Sequence, residues 1–539
     1  MGSLRARGVP RGQGPAGLVE RRRWSKETTK PMNYSYSLTE NALRHPDKVA
    51  LKCGERRRTY AELNTRVSRL AGGLVEAGVR RNSAVGILMW NCMEFFEIYY
   101  ACMRAGIVCV PLNYRMSADE LRYELEHSQC AMLFTQERFH DVVSGAVGDQ
   151  TDVFRLITTA DGVPPGWLGY ETLMSGSQID ADVPADFSDT QRIMYTSGTT
   201  ARPKGAIVTH GQVVFGALSR VADFELSSDD VNLAVGPLYH VAALDTFATT
   251  LLYIGGTVVI CERFDPSAVL DILHAGEVTC TWMAPSMVAA VLAEADQRPP
   301  GVVSLRVLVM GGEKAPLPML EKLFGMWPSV KAFDVYGLTE CQGLATILPS
   351  EFAVSKLGSV GIPARGREVR VIDDAGQDVS AGVAGEVLVR GPVVFPGYLL
   401  NEEATRDTIR DRWLYTGDMG VLDEDGFLYI VDRKKDMILS GGENIAASEV
   451  ERVVYEVPGV AEAAVVARAD QRWGEVPVAF VVAEPGHEID TEKVLELCRA
   501  RLAGFKVPKE VHLVDELPRT PSGKILKREL RTQLEVPVH

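Results

Sequence analysis

Short apolar segments alternate with helical ones along most of this chain, and that alternation narrows the folds open to it. A strand that feeds a helix and then another strand builds βαβ units, whose parallel strands need cover on both faces. Thr59-Tyr60-Ala61-Glu62 reads as a capping box, after which Leu63, Val67, Leu70 and Leu74 fall on one helical face and Gly78 ends the helix. Ser83 to Met89 follows as a buried strand. Asp265-Pro266 opens another helix with a cap and a first-turn proline, and Gly276 closes it. Val278 to Met283 and Leu305 to Met310 are further strands, the second running into Gly311-Gly312.

At 539 residues the chain is too long for one hydrophobic core, so at least two domains are expected. The texture changes at the charge cluster Asp432-Arg433-Lys434-Lys435-Asp436. Beyond it a compact α/β unit is expected: a helix capped at Ser448, strands near Ala463 to Ala467 and Val478 to Val482, and a helix from Thr491 to Arg501. The reading is therefore a basic tail over 1–31, a large domain over 32–434 and a small one over 435–539.

Composition removes several classes. A net charge of -14 argues against a nucleic-acid backbone as partner. The nine cysteines are scattered with no C-x-x-C pair, and read as buried thiols of a reducing compartment. No apolar run reaches membrane-spanning length: Leu251 to Ile260 is interrupted by Gly255-Gly256. The first thirty residues carry many Arg and Lys but no apolar core, so they predict a disordered tail rather than a signal peptide. Cytoplasm, without integral membrane association, is the expected location.

The strongest chemical signal is Tyr195-Thr196-Ser197-Gly198-Thr199-Thr200-Ala201-Arg202-Pro203-Lys204-Gly205. Hydroxyls and glycines at this density offer backbone N–H groups and side-chain donors to a polyanion, and the lysine adds positive charge. It is not a Walker loop, because Lys204 follows Pro and no Ser or Thr comes after a Gly-Lys pair. Alone, the stretch also suits a flexible surface loop.

With that motif the chain resembles the adenylate-forming superfamily of acyl-CoA synthetases, peptide-synthetase adenylation domains and beetle luciferases, and bacterial acyl-CoA ligases most. The resemblance runs from about Leu38 to Arg528 with the motifs in family order. It implies an α/β fold, with a large N-terminal domain of stacked, largely parallel sheets and helices and a small, mobile C-terminal α+β domain. It also implies ATP, Mg²⁺ and coenzyme A as cofactors. The substrate implied is a small hydrophobic carboxylic acid, and the enzyme is expected to be a monomer or homodimer.

The resemblance assigns roles residue by residue. Thr196, Ser197, Gly198, Thr199, Thr200 and Lys204 hold phosphates. In Asp334-Val335-Tyr336-Gly337-Leu338-Thr339-Glu340, the Tyr lies against adenine, Asp334 meets its amino group and Thr339 bonds the α-phosphate. Glu340, with Thr196, holds Mg²⁺, a hard cation that bridges phosphates. Gly311-Gly312-Glu313-Lys314-Ala315-Pro316 forms the opposite wall of the adenine slot, where missing side chains permit close approach. Asp418 in Tyr415-Thr416-Gly417-Asp418 accepts from the two ribose hydroxyls, and Arg433 also reaches the ribose.

His240, in Pro237-Leu238-Tyr239-His240-Val241, lines the acyl pocket and gates the thiol tunnel; Val241, Ala242, Ala243, Val335 and Leu338 give that pocket apolar walls. Lys524, in Pro518-Arg519-Thr520-Pro521-Ser522-Gly523-Lys524, is the catalytic cation, since one anion attacking another builds negative charge at the α-phosphorus. Lys435 is the hinge about which the small domain swings, and Gly441-Gly442 then line the thiol tunnel. Two departures from the family pattern stand out: Ala201 replaces a usual Gly, and Ala446-Ala447 replace an aromatic-Pro pair. They keep open an enzyme restricted to the thioester-forming half-reaction, alongside transfer to a carrier-protein thiol.

Overall fold

A computed structural model describes residues 33–148, 155–160, 162–179, 182–196, 202–298, 301–440, 443–470, 473–519 and 525–535. The expected tail over 1–31 lies outside these residues.

Two large sheets carry the N-terminal domain. The first runs, in spatial order, Leu168–Gly169, Arg155–Thr158, Cys130–Thr135, Ala84–Leu88, Val108–Pro111, Thr190–Thr196 and Lys204–Thr209. All its neighbours are parallel until the last two strands, which form an antiparallel hairpin. The second sheet has nine strands, parallel from Val49–Cys53 across to Lys331–Tyr336 and antiparallel at both edges. Helix Met93–Ala105 is packed between them and is buried at every position but Glu94, as a helix apolar on all sides must be. It shares one core with Ile87 and Phe134 of the first sheet and Val258 and Ile260 of the second.

Local signals account for several element ends. Thr59 and Glu62 make the reciprocal capping box expected of them, opening helix Tyr60–Glu76. Asp265 accepts the N–H of Ala268 at the start of helix Pro266–His274. Two features lie outside those expectations. The first adds to the expected largely parallel sheets: between them and the C-terminal unit stands a five-stranded sheet over 368–433, whose neighbours are all antiparallel. Ser448 does not cap its helix: helix Ala447–Val454 has Ala446 at the cap position, and the Ser448 hydroxyl donates instead to Val431 O at 2.6 Å.

The smaller C-terminal domain is built on a sheet that starts at Ile438–Ser440 and is dominated by the long hairpin Val460–Asp470 and Gly474–Ala483. Both strands exceed the apolar runs that announced them, because their ends pair beyond the buried stretch. A tight turn at Lys434–Asp436 joins strand Leu428–Arg433 to strand Ile438–Ser440. Lys434 is ion-paired to Glu386 (3.0 Å) and Asp374 (3.1 Å) on the large side, and Asp436 to Arg531 (2.5 Å) on the small side. All nine cysteines are free thiols and eight are buried. Among the described residues, no helix is long and apolar enough to cross a membrane.

Candidate active site

Thr196 and Lys204 sit at the end of the antiparallel hairpin, paired with each other, and Tyr195 pairs with Gly205. Ser197, Gly198, Thr199, Thr200 and Ala201 lie outside the described residues. The hairpin is anchored next to that end: the Tyr195 hydroxyl donates to Glu124 O at 3.2 Å and meets His127 Nδ1 at 2.9 Å. Ile207 N and Gly205 O bind the segment 397–399 alongside.

That segment supplies a residue with no sequence signal of its own, Tyr398. Its hydroxyl donates to Glu340 Oε1 at 2.7 Å, and Lys204 Nζ lies 5.1 Å from the centre of its ring. The phosphate-loop lysine and the motif glutamate, 136 positions apart, therefore share one aromatic neighbour. Glu340 is buried, in the single helical turn Thr339–Cys341 that follows strand Lys331–Tyr336 and Gly337. A side chain at Gly337 would put its Cβ 2.5 Å from the backbone of Gly343 and Leu344, so only glycine lets these segments close.

Strand Lys331–Tyr336 pairs in register with Val307–Gly311, setting Met310 beside Asp334 and Gly311 beside Val335. The two sequence motifs assigned to opposite walls of one slot are thus adjacent strand ends. Gly312 has φ +91, and nothing lies within 4 Å of where its Cβ would be, which leaves bare backbone facing open space. Glu313 accepts from Ser286 N at 3.3 Å, Ala315 is buried and Pro316 leads into helix Leu317–Met326. Desolvation and the Arg452 guanidinium push the Lys314 ammonium pKa down, against Asp432. Burial pushes the Asp334 carboxyl up to about 7.

Asp418 is the junction of the site. Its Oδ2 accepts the Tyr336 hydroxyl at 2.6 Å and its Oδ1 pairs with Arg433 Nε at 2.7 Å. Strands Trp413–Leu422 and Leu428–Arg433 place Asp418 directly opposite Arg433. Three motifs lying 82 and 15 positions apart therefore meet in one hydrogen-bonded set.

His240 is exposed, and its Nδ1 accepts the N–H of Ala242 at the start of the short turn Val241–Ala243. Val241 meets the segment after Glu340: a Cβ at Gly343 would lie 3.1 Å from Val241 Cγ1. Ala446 and Ala447 are buried, the latter in the core of the C-terminal unit. Lys435 lies in the Lys434–Asp436 turn. Gly441, Gly442 and Lys524 lie outside the described residues, though Arg519 and Ile525, on either side of Lys524, pair with each other. Among the described residues no group of three His, Cys, Asp or Glu side chains is placed to hold a metal ion. Any cation at Glu340 must therefore take most of its oxygens from elsewhere.

The chain as a whole is similar to known proteins. The AMP-binding enzyme family matches residues 38–399, and the AMP-binding enzyme C-terminal domain matches 449–524. Feruloyl-CoA synthase of an Amycolatopsis species is 39% identical over 487 residues, covering 90% of this chain and 96% of its own. Indoleacetate–CoA ligase of Aromatoleum aromaticum is 37% identical over 505 residues, covering 93% and 98%. The o-succinylbenzoate CoA synthetase of Bacillus subtilis, solved with its acyl-adenylate intermediate, superposes with a TM-score of 0.84 at 33% identity over 95% of this chain and 99% of that one. Its complex with ATP and magnesium ion gives 0.82, over 94% and 99%. With both domains matched in order and these relatives spanning nearly its whole length, the chain belongs to the AMP-binding enzyme family, as a ligase of the acid–thiol class.

Proposed function

We propose that this protein is an acyl-CoA ligase. It joins a hydrophobic carboxylic acid to ATP, releasing pyrophosphate, and passes the acyl group from the adenylate to coenzyme A, releasing AMP. The observation that carries the reading is the convergence of Tyr336, Asp418 and Arg433 beside the set formed by Lys204, Tyr398 and Glu340. The first triplet offers an aromatic surface and a carboxylate suited to vicinal hydroxyls; the second offers a cation and a hard oxygen ligand where phosphates would lie.

In the first half-reaction a carboxylate oxygen of the acid attacks the α-phosphorus, and the α–β bridging bond breaks with its electron pair leaving on pyrophosphate. The acid is already ionised at neutral pH, so no general base is required. Negative charge grows at the α-phosphate, where Thr196 and Thr339 donate hydrogen bonds and Lys524 supplies a positive charge from the C-terminal domain. Magnesium fits the donors present: Glu340 offers one carboxylate whose Oε2 has no partner among the described residues, and magnesium binds by one or two carboxylates together with substrate phosphates and water. Bound there, the ion would neutralise phosphate charge. In the second half-reaction the thiolate sulfur of coenzyme A attacks the acyl carbon and AMP departs. The reading assigns the domain boundary and hinge to Lys435, with Gly441 and Gly442 beside the incoming thiol and His240 at the mouth of the acyl pocket.

The relatives' named acids, ferulic, indoleacetic and succinylbenzoic, each contain an aromatic ring. An aromatic acid is accordingly the first substrate class to test. The experiment is to incubate the protein with ATP, magnesium, coenzyme A and a panel of aromatic and aliphatic acids, measuring AMP, pyrophosphate and thioester. AMP and thioester formed one for one, dependent on all components, is the expected result. Failure of every acid to release pyrophosphate would sink the proposal.

A further inference from the structure

Nine buried side-chain nitrogen and oxygen atoms among the described residues have no hydrogen-bond partner, and five of them belong to one cluster: Arg220 Nε, Asp223 Oδ2, Gln342 Nε2, Gln342 Oε1 and Arg367 Nη2. Gln342 is wholly buried, Arg220 is 2% exposed and Arg367 5%. Such groups normally find partners, and each one left alone is destabilising by about 1–3 kcal/mol. Their convergence marks a place shaped for something else.

The cluster is held rigidly. Arg220 Nη2 donates to Gln342 O, Arg367 Nε donates to Leu344 O at 3.1 Å and Nη1 to Arg365 O at 2.6 Å, and Arg365 Nε pairs with Asp223 Oδ1 at 3.1 Å. Gly216 leaves the space between: a Cβ there would stand 2.8 Å from Arg220 Nη1 and 3.4 Å from Gln342 Oε1. Arg220 also feels Asp245, which is paired to Arg192. Counting the buried neighbours, three arginines (192, 220, 367) face two aspartates (223, 245), an excess of one positive charge in the interior, with the exposed Arg365 capping Asp223 from the surface.

The cluster adjoins the residues that the resemblance assigns to the acyl pocket. Gln342 lies two residues beyond Glu340, Gly343 packs on Val241, and Val241 follows His240. We infer that the acyl pocket ends on this cluster, and that the preferred acid carries at its far end a second oxygen acceptor, a carboxylate, received by Gln342, Arg220 and Arg367. Three of the four groups have N–H donors free, and their excess charge favours an anion. The inference rests on the CoA-ligase reading and refines its acid from purely hydrophobic to one with an apolar body and a polar end.

The test pairs acids of equal length, in a linear and a phenyl-bearing series, each ending either in methyl or in a second carboxylate. AMP release with ATP, magnesium and coenzyme A gives kcat/KM for each. A site built to bind a polar group discriminates strongly against an analogue lacking it. The wild type is expected to favour the carboxylate-ended member of at least one series by about a hundredfold. Two variants compatible with the left-handed backbone at Gln342 (φ +62) sharpen this. Gln342→Glu places a like charge against the second carboxylate, and Gln342→Gly removes the amide. Both should cut the preference by about tenfold or more. A wild-type preference below about tenfold in both series, or one unchanged in both variants, overturns the inference. AMP release without the preference leaves the ligase reading standing; no AMP release from any acid removes both.

Discussion

Two buried polar groups of similar composition lie side by side in the large domain, and they are finished to different degrees. In one, Arg192 donates to Tyr99 Oη (2.7 Å) and Gln191 Oε1 (2.9 Å) and pairs with Asp245, whose other oxygen accepts from Thr249 (3.1 Å). Only Gln191 Nε2 is left over. In the other, around Gln342, five atoms are left over. A closed network of this kind fixes structure, because breaking it strands a charge. An open one of the same chemistry is costly to keep unless a ligand closes it. The contrast separates residues that hold the fold from residues that read a substrate, although both groups are built on buried arginines and amides.

The largest effect should come from breaking the closed network. Arg192→Met leaves Asp245 uncompensated at 1% exposure and should lower stability by about 3–5 kcal/mol, measured by denaturant unfolding. A change under about 1 kcal/mol would erase the distinction drawn here, since the pair would then behave like a surface contact. Lys524→Ala sharpens the comparison from the catalytic side, as a charge needed only while the reaction proceeds. It should slow pyrophosphate release by about 10²–10³ and largely spare thioester formation from supplied acyl-adenylate, with unfolding unchanged. Equal loss in both half-reactions would contradict its assignment. Tyr336→Phe removes one bond from the nucleotide set and should raise the KM for ATP by about tenfold or less, near 1 kcal/mol.

The smallest effect is a pH dependence. Burial raises the Asp334 carboxyl to about 7, so its ionised form is disfavoured in the fold. The sign is that Asp334 lowers stability progressively as pH rises from the unfolded value near 4 through 7. Asp334→Asn should therefore gain stability relative to wild type across that window and no further above it. Where adenine's amino group donates to this carboxylate, the KM for ATP should fall severalfold from pH 6 to 8 in wild type and stay flat in the variant. Parallel profiles for the two proteins would remove Asp334 from the slot.

Local chemistry made much of this legible in the sequence. The capping box at Thr59 and the cap at Asp265 act within four residues, so their helices could be read directly. The Asp334–Glu340 and Tyr415–Asp418 motifs are likewise legible as strings. What could not be read is what depends on distant partners. Ser448 carries a capping side chain but spends it on Val431, 17 positions back. Tyr398 reaches Glu340 across 58 positions, and no pattern around it announces that contact. Gln342 looks like any polar residue after a motif; its isolation exists only because Arg220 and Arg367 arrive from elsewhere. The sequence pattern also gave no warning of the antiparallel sheet over 368–433, whose short strands and turns lack the βαβ rhythm.

The turn at Lys434–Asp436 is fastened on both sides, by Glu386 and Asp374 to the large domain and by Arg531 to the small one. On the hinge proposed at Lys435, a swivel of one domain on the other would be absorbed by the few backbone torsions between the two fastened residues. A joint this short would work as an axle rather than a tether, permitting rotation about one line while resisting drift. Because Lys434 is half exposed, its grip is sensitive to salt, and raising ionic strength should lengthen the axle toward residue 433 and make the motion less well defined.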